Sequence, residues 1–191
     1  MLKEGQIRIP SGCAIAAIID RKGGKINGSE IIKSIALMHD RSNGLGGGFA
    51  AYGIYPDHKD DYAFHVFYEN SKAKSECEDF LFKYFNVDVS EKIPTKKIES
   101  IANGPDIWRY FANPNKVRMK EARMNEEEYT VQCVMKVNQN IEGAFIFSSG
   151  KNMGCFKAVG YPEDVGEFYM LDQYDAYLWT AHGRFPTNTP G

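Results

Sequence analysis

The first strong hydrophobic signal is an unbroken run, Ala14-Ile15-Ala16-Ala17-Ile18-Ile19, closed by Asp20. A run of that length without polar alternation predicts a strand buried on both faces. Arg21-Lys22-Gly23-Gly24-Lys25 reads as a turn. Ile31, Ile32, Ile35, Met38 and His39 then recur at helical spacing, with Ser29 as the cap and Asn43-Gly44 as the stop. Residues 49–55 return to a strand-like texture, and residues 62–68 alternate loosely as a second strand signal. Residues 71–85 place Cys77, Phe80, Leu81 and Tyr84 on one face of an amphipathic helix.

The pattern is weaker in the second half. Residues 92–123 carry Pro94, Pro105 and Pro114, mixed charge and an apolar knot at Ile107, Trp108, Tyr110 and Phe111. Residues 56–125 read as a peripheral insertion, closed by the solvated charge run Asn125-Glu126-Glu127-Glu128. Residues 129–137 read as a strand, and residues 144–147 and 155–159 as a hairpin about 148–152. Pro162 can open a helix to Leu171, weakened by Gly166, and residues 176–182 form a last strand.

Composition narrows the class more than the fold. The chain has 191 residues, enough for one domain or a core with an insertion. A net charge of −2 gives no reason to expect a nucleic-acid or anionic-membrane partner. No apolar run reaches the roughly 18–20 residues of a membrane span, and the first ten residues lack a signal-peptide core, so a cytoplasmic protein is expected. Cys13, Cys77, Cys133 and Cys155 form no C-x-x-C pair, and the four histidines show no ligand spacing. Neither a metal site nor a disulfide framework is expected. Cys77, Cys133 and Cys155 read as core or strand residues.

Two stretches are candidates for chemistry. Gly46-x-Gly48-x-x-Ala51 formally fits a dinucleotide fingerprint. That motif needs a strand before it and a helix after it, and here the order is reversed. The other is Cys13 at the head of the first apolar run. Removal of residues 1–12 would give it a free α-amino group. Such a group titrates at about 7.7–8.0, so a thiol and its own base would sit on one residue.

Three stretches together carry a resemblance. They are Gly12-Cys13-Ala14-Ile15, then His39-Asp40-Arg41-Ser42-Asn43-Gly44 with Phe49-Ala50-Ala51-Tyr52-Gly53, and last His182-Gly183-Arg184-Phe185-Pro186-Thr187-Asn188-Thr189-Pro190. In this order they resemble the class II glutamine amidotransferases, the glutaminase domains among the N-terminal-nucleophile hydrolases. The likeness is strongest to the glutaminase domain of glutamate synthase, over about residues 1–55 and 140–191.

The resemblance implies an α+β fold: a four-layer αββα sandwich, C-terminally incomplete in this chain, with a small α/β insertion. Residues 1–12 would be a pro-segment and 13–191 a partial amidotransferase domain. Cys13 would attack the side-chain amide of L-glutamine and pass through a thioester to glutamate and ammonia. Arg184 matches the arginine that holds the substrate α-carboxylate, Thr187 the threonine beside it, and Arg41 the arginine of an early Arg-Gly segment, although Ser42 stands where glycine is usual. The ammonia would supply glutamate synthesis in a synthase domain or subunit bearing flavin and iron–sulfur centres, while this chain itself would bind no cofactor. The family's oxyanion Asn-Gly and a later Asp follow the arginine stretch and have no counterpart here, so a truncated, inactive chain is expected. Two other readings remain open: a non-catalytic amino-acid-binding module of the same fold, and an N-terminal-nucleophile amidohydrolase of another amide.

Overall fold

The computed structural model describes residues 13–42, 44–101 and 104–183. Its elements run in the order β1 (Ile15–Ile19), β2 (Ile26–Asn27), α1 (Gly28–Ala36), β3 (Gly47–Tyr52), β4 (Tyr62–Tyr68), α2 (Ser71–Tyr84), β5 (Phe85–Lys92), β6 (Asp106–Pro114), α3 (Lys116–Ala122), α4 (Glu126–Asn140), β7 (Ala144–Lys151), β8 (Met153–Ala158), α5 (Pro162–Phe168), β9 (Asp175–Ala176) and β10 (Leu178–His182). The architecture is mixed α and β, with antiparallel sheets and five α-helices among the described residues. None of these helices is long and apolar enough to cross a membrane. The chain divides into two compact units, one drawn from Met1–Ala50, Thr95–Ala102 and Phe156–Gly191, the other from Ala51–Pro94 and Asn103–Cys155.

The first unit is built on a sheet in the order β1-β10-β3-β8, with the unit boundary falling inside β3 and β8. β1 pairs antiparallel with β10, Ile18 opposite Trp179 and Ala16 opposite Ala181. Trp179 is fully buried, and its indole N–H donates to the Ile26 carbonyl at 2.9 Å. The opposite face of β1 is open: Ile15 and Ile19 are 68% and 57% exposed. This corrects the expectation of a strand buried on both faces. One face of β1 packs on α1, while nothing covers the alternate positions Ile15, Ala17 and Ile19 among the described residues. The cap of α1 is Asn27, whose side chain accepts from the Ser29 amide at 3.1 Å, and Ser29 itself lies inside the helix. The helix stops at Ala36, and His39–Arg41 forms a separate 3-10 turn.

Gly28 shows how tightly this unit closes. A Cβ there would lie 2.0 Å from the Leu171 carbonyl oxygen and 3.2 Å from the Trp179 ring. The obstacle is backbone, so it cannot swing aside. Gly28→Ala is therefore expected to destabilise by about 2–3 kcal/mol, against the roughly 1 kcal/mol gain of an ordinary helical Gly→Ala change. Urea midpoints of the two proteins check this; an unchanged midpoint would mean that the α1 start does not close on Leu171 as described.

In the second unit the order β5-β6-β4-β7, with every neighbouring pair antiparallel, combines with β4-α2-β5-β6-α3-α4-β7 in the chain, where the short α3 precedes the crossover helix α4. This is the split βαβ topology. Phe64, Val66, Tyr68 and Tyr110 from the sheet meet Cys77 and Leu81 of α2 and Cys133 and Val137 of α4 in one buried cluster. Burial pushes the Cys77 thiol up to about 11 and raises that of Cys133, as befits inert core cysteines. The unit extends beyond both ends of the 56–125 span, and residues 95–102 return to the first unit.

Two expectations fail here. Residues 129–137 form part of helix α4, not a strand. Tyr129, Cys133 and Val137 are buried at intervals of four while Val131 and Met135 are exposed, and Asn125 with Glu128 forms a full capping box at the start. The charge run therefore starts a helix. Residues 144–159 contain two successive strands, but they make no hairpin: β7 pairs with β4, whereas β8 neighbours β3. Asn152, at φ 47°, makes the sharp turn between them, and it is tied to a different segment. Its carbonyl accepts from the Gly53 amide at 2.7 Å and its side chain from the Tyr55 amide at 2.9 Å.

Candidate functional site

The head of β1 is where the sequence placed its chemistry. Cys13 is half-buried there, and its neighbour Ala14 is 1% exposed. The Ala14 carbonyl accepts from the Gly183 amide at 2.8 Å, which extends the β1–β10 pairing by one step. Gly183 has no room for a side chain. A Cβ would lie 2.9 Å from that of Ala14 and 3.2 Å from Cγ of Pro162. The Gly183 carbonyl in turn accepts from the buried Ser42 hydroxyl. Ser42 ends the 3-10 turn that carries Arg41, and its amide donates to the His39 carbonyl at 2.9 Å.

These contacts bring together the residue after Cys13, the residue after Arg41 and the residue before Arg184. Arg41 itself is exposed at the end of its turn. Arg184 and Thr187 lie outside the described residues. Ser42, the residue after Arg41, is used structurally, because its hydroxyl ties the turn to the end of β10.

Sequence reasoning missed the side chains that close this corner. His39 Nδ1 bonds to Glu163 Oε1, and the His39 ring stacks on Tyr161 at 4.0 Å between centroids. Glu163 belongs to α5, directly after Pro162. Its second oxygen, Oε2, is buried and has no hydrogen-bond partner among the described residues. His39 sits in the helical pattern and in one of the stretches that carry the resemblance, but no spacing rule joins it to a glutamate 124 residues away. His182, opposite Ile15, is half-buried, and burial lowers its pKa.

A second polar cluster lies within the other unit. His65 is fully buried in β4, with Nδ1 donating to the Cys155 carbonyl at 2.8 Å and Nε2 accepting from the Tyr55 hydroxyl at 2.9 Å. Burial is the main cause that lowers its pKa to about 3, the Arg109 guanidinium adds to the shift, and the bond to Cys155 opposes it. Arg109 pairs with Glu91 and lies over the Tyr55 ring at 4.7 Å. Both ring nitrogens of His65 are occupied, which makes it a core element rather than a proton shuttle. His58, Asp61 and Asp88 bring ligand-type atoms within 4.8 Å of one another. His58 already bonds Asp61 and stacks on Phe111, and nothing in the cluster assigns a metal to it.

No family model matches the chain. An uncharacterized protein of Archaeoglobus fulgidus is 47% identical over 182 residues, which is 94% of this chain and 48% of the relative. An alignment of that extent takes in both units. The chain spans about half the length of the curated relative it matches.

Proposed function

We propose that this chain is the nucleophile-bearing part of a class II glutamine amidotransferase, in which Cys13 becomes the first residue and hydrolyses glutamine. The observation that carries the reading is the meeting of Ala14, Ser42 and Gly183. Three stretches that carry the resemblance, separated by up to 169 residues, converge through one glycine. The open apolar face of β1 fits the same reading, since a sheet in a four-layer sandwich buries its inner face against a second sheet.

The mechanism follows from the residue types. With residues 1–12 removed, the α-amino group of Cys13 takes the thiol proton, and the sulfur attacks the amide carbon of glutamine. The tetrahedral intermediate collapses, the C–N bond breaks, and the nitrogen leaves as ammonia with the transferred proton. Water then cleaves the thioester to glutamate and restores the thiol. Arg184 can hold the substrate carboxylate bidentately, with Thr187 donating beside it and Arg41 adding positive charge near the nucleophile. The ammonia passes to a synthase partner.

The test uses the protein in its full natural length. Mass spectrometry is expected to find Cys13 at the mature N-terminus, and a diazoketone analogue of glutamine to alkylate it. Full-length protein that begins at Cys13, yet releases no ammonia from glutamine and takes no label, rules the reading out.

A further inference from the structure

Glu163 Oε2 is a buried carboxylate oxygen without a donor among the described residues. An unsatisfied buried acceptor costs about 1–3 kcal/mol, and more when charged, so native proteins seldom keep one without a use. Its other oxygen is held by His39, whose ring is fixed by the stack on Tyr161. The carboxylate is therefore oriented by the pair with one oxygen left over.

Short contacts link the segments that carry Glu163 and Cys13. Ala14 and Pro162 both pack on Gly183, at 2.9 and 3.2 Å from the position of its missing Cβ. Cys13 and Glu163 are the residues next to those two. In the uncut chain the nitrogen of Cys13 is an amide. Removal of residues 1–12 turns it into an ammonium, a charged donor that did not exist before.

We propose that Glu163 is the positioning residue that receives the α-ammonium of Cys13 once that residue becomes the N-terminus. This rests on the glutaminase reading only for the free N-terminus of Cys13. The carboxylate then orients the amine relative to the thiol and raises its proton affinity. Among the described residues, the other ionisable groups of this corner do not compete. Burial lowers the pKa of His182 on β10, His39 is bonded to Glu163, and Asp164 on α5 bonds Ser100 at 2.8 Å. Arg41 carries the wrong sign, and its neighbour Asp40 is exposed in the 3-10 turn.

The test reads the amine itself. In mature protein carrying Cys13→Ser, so that the thiol does not compete, the pH dependence of α-amine acylation by acetic anhydride gives its pKa. With Glu163 present the value should lie above the usual range of about 7.7–8.0, and Glu163→Gln should lower it by about one unit or more. Glu163→Asp keeps the charge and should retain most of the elevation, which separates the effect from damage to the fold. His39→Gln should lower the value less. In mature protein with Cys13 intact, the acid limb of kcat/KM should move down with Glu163→Gln by the same amount.

An α-amine titration that is the same with Glu163 and with Gln at this position overturns the proposal. Ammonia release alongside that result would leave the glutaminase reading standing. A sensitive amine in a mature protein that releases no ammonia would support Glu163 and remove the glutaminase reading.

Discussion

Lowering the pH from 7 to 4 is expected to remove about 3 kcal/mol of stability through His65 alone, and below pH 3 the loss should reach about 5 kcal/mol. The sign follows from the burial of the ring. In the folded protein His65 stays neutral down to about pH 3, because protonation would place a charge at a fully buried site beside the Arg109 guanidinium. In the unfolded chain the same imidazole titrates near the ordinary value of about 6.5. Between those two values the unfolded state binds a proton that the folded state does not. Stability is thus intact above about pH 6.5 and falls as the pH drops toward 3, by about 1.4 kcal/mol per unit.

Carboxylates also contribute to acid unfolding, so the test is a comparison. Urea unfolding followed by circular dichroism at pH 7, 5.5 and 4.5 should show a steeper decline for the wild type than for His65→Gln. Gln at this position can still donate to the Cys155 carbonyl but takes up no proton. Tyr55→Phe should lower stability at every pH, by about 1 kcal/mol for one lost hydrogen bond, and leave the slope in place. Equal pH slopes for wild type and His65→Gln would remove His65 as the responsible group.

The sequence was most legible where one element carried one period. Helix α2 and strand β4 emerged within a residue or so of their ends, because the apolar stripe of α2 and the aromatic pattern of β4 each face one core. The failure at α4 has a specific cause. Val131, Val134 and Val137 suggested a strand by residue type, while the burial pattern follows Tyr129, Cys133 and Val137, which is helical. The supposed hairpin failed because local sequence shows that a strand ends at Asn152, not which sheet the next strand joins. Similarly, an apolar run reports β-propensity and not the number of covered faces, so the open side of β1 was invisible.

The candidate site divides in the same way. Cys13 and the stretches around Arg41 and Arg184 stand out in the sequence through their order and spacing taken together. Ser42 looked like a departure from that pattern, and only its contact with Gly183 gives it a purpose. The His39–Glu163 pair spans 124 residues and leaves no trace in spacing, composition or charge pattern.

Cys13→Ala in the mature full-length protein is expected to abolish glutamine-dependent ammonia release, by at least about 10³-fold. The loss should be that large because the thiol forms the bond that defines the pathway. Without it no thioester exists, and binding energy alone cannot break an amide at a useful rate. Two further forms divide the thiol from the amine. Protein that keeps residues 1–12 has the thiol but an amide in place of the base, and it should be as inactive as Cys13→Ala. Cys13→Ser in mature protein keeps the amine and offers a weaker nucleophile, so a small residual rate should separate it from Ala. Glutamine binding, measured by calorimetry, should survive Cys13→Ala, since the groups assigned to the carboxylate lie elsewhere in the chain. Full activity in Cys13→Ala would move the nucleophile to another residue, and full activity with residues 1–12 attached would remove the α-amino group as the base. Tight glutamine binding with no ammonia release from any form, mature wild type included, would instead make the chain an amino-acid-binding module whose cysteine does no chemistry.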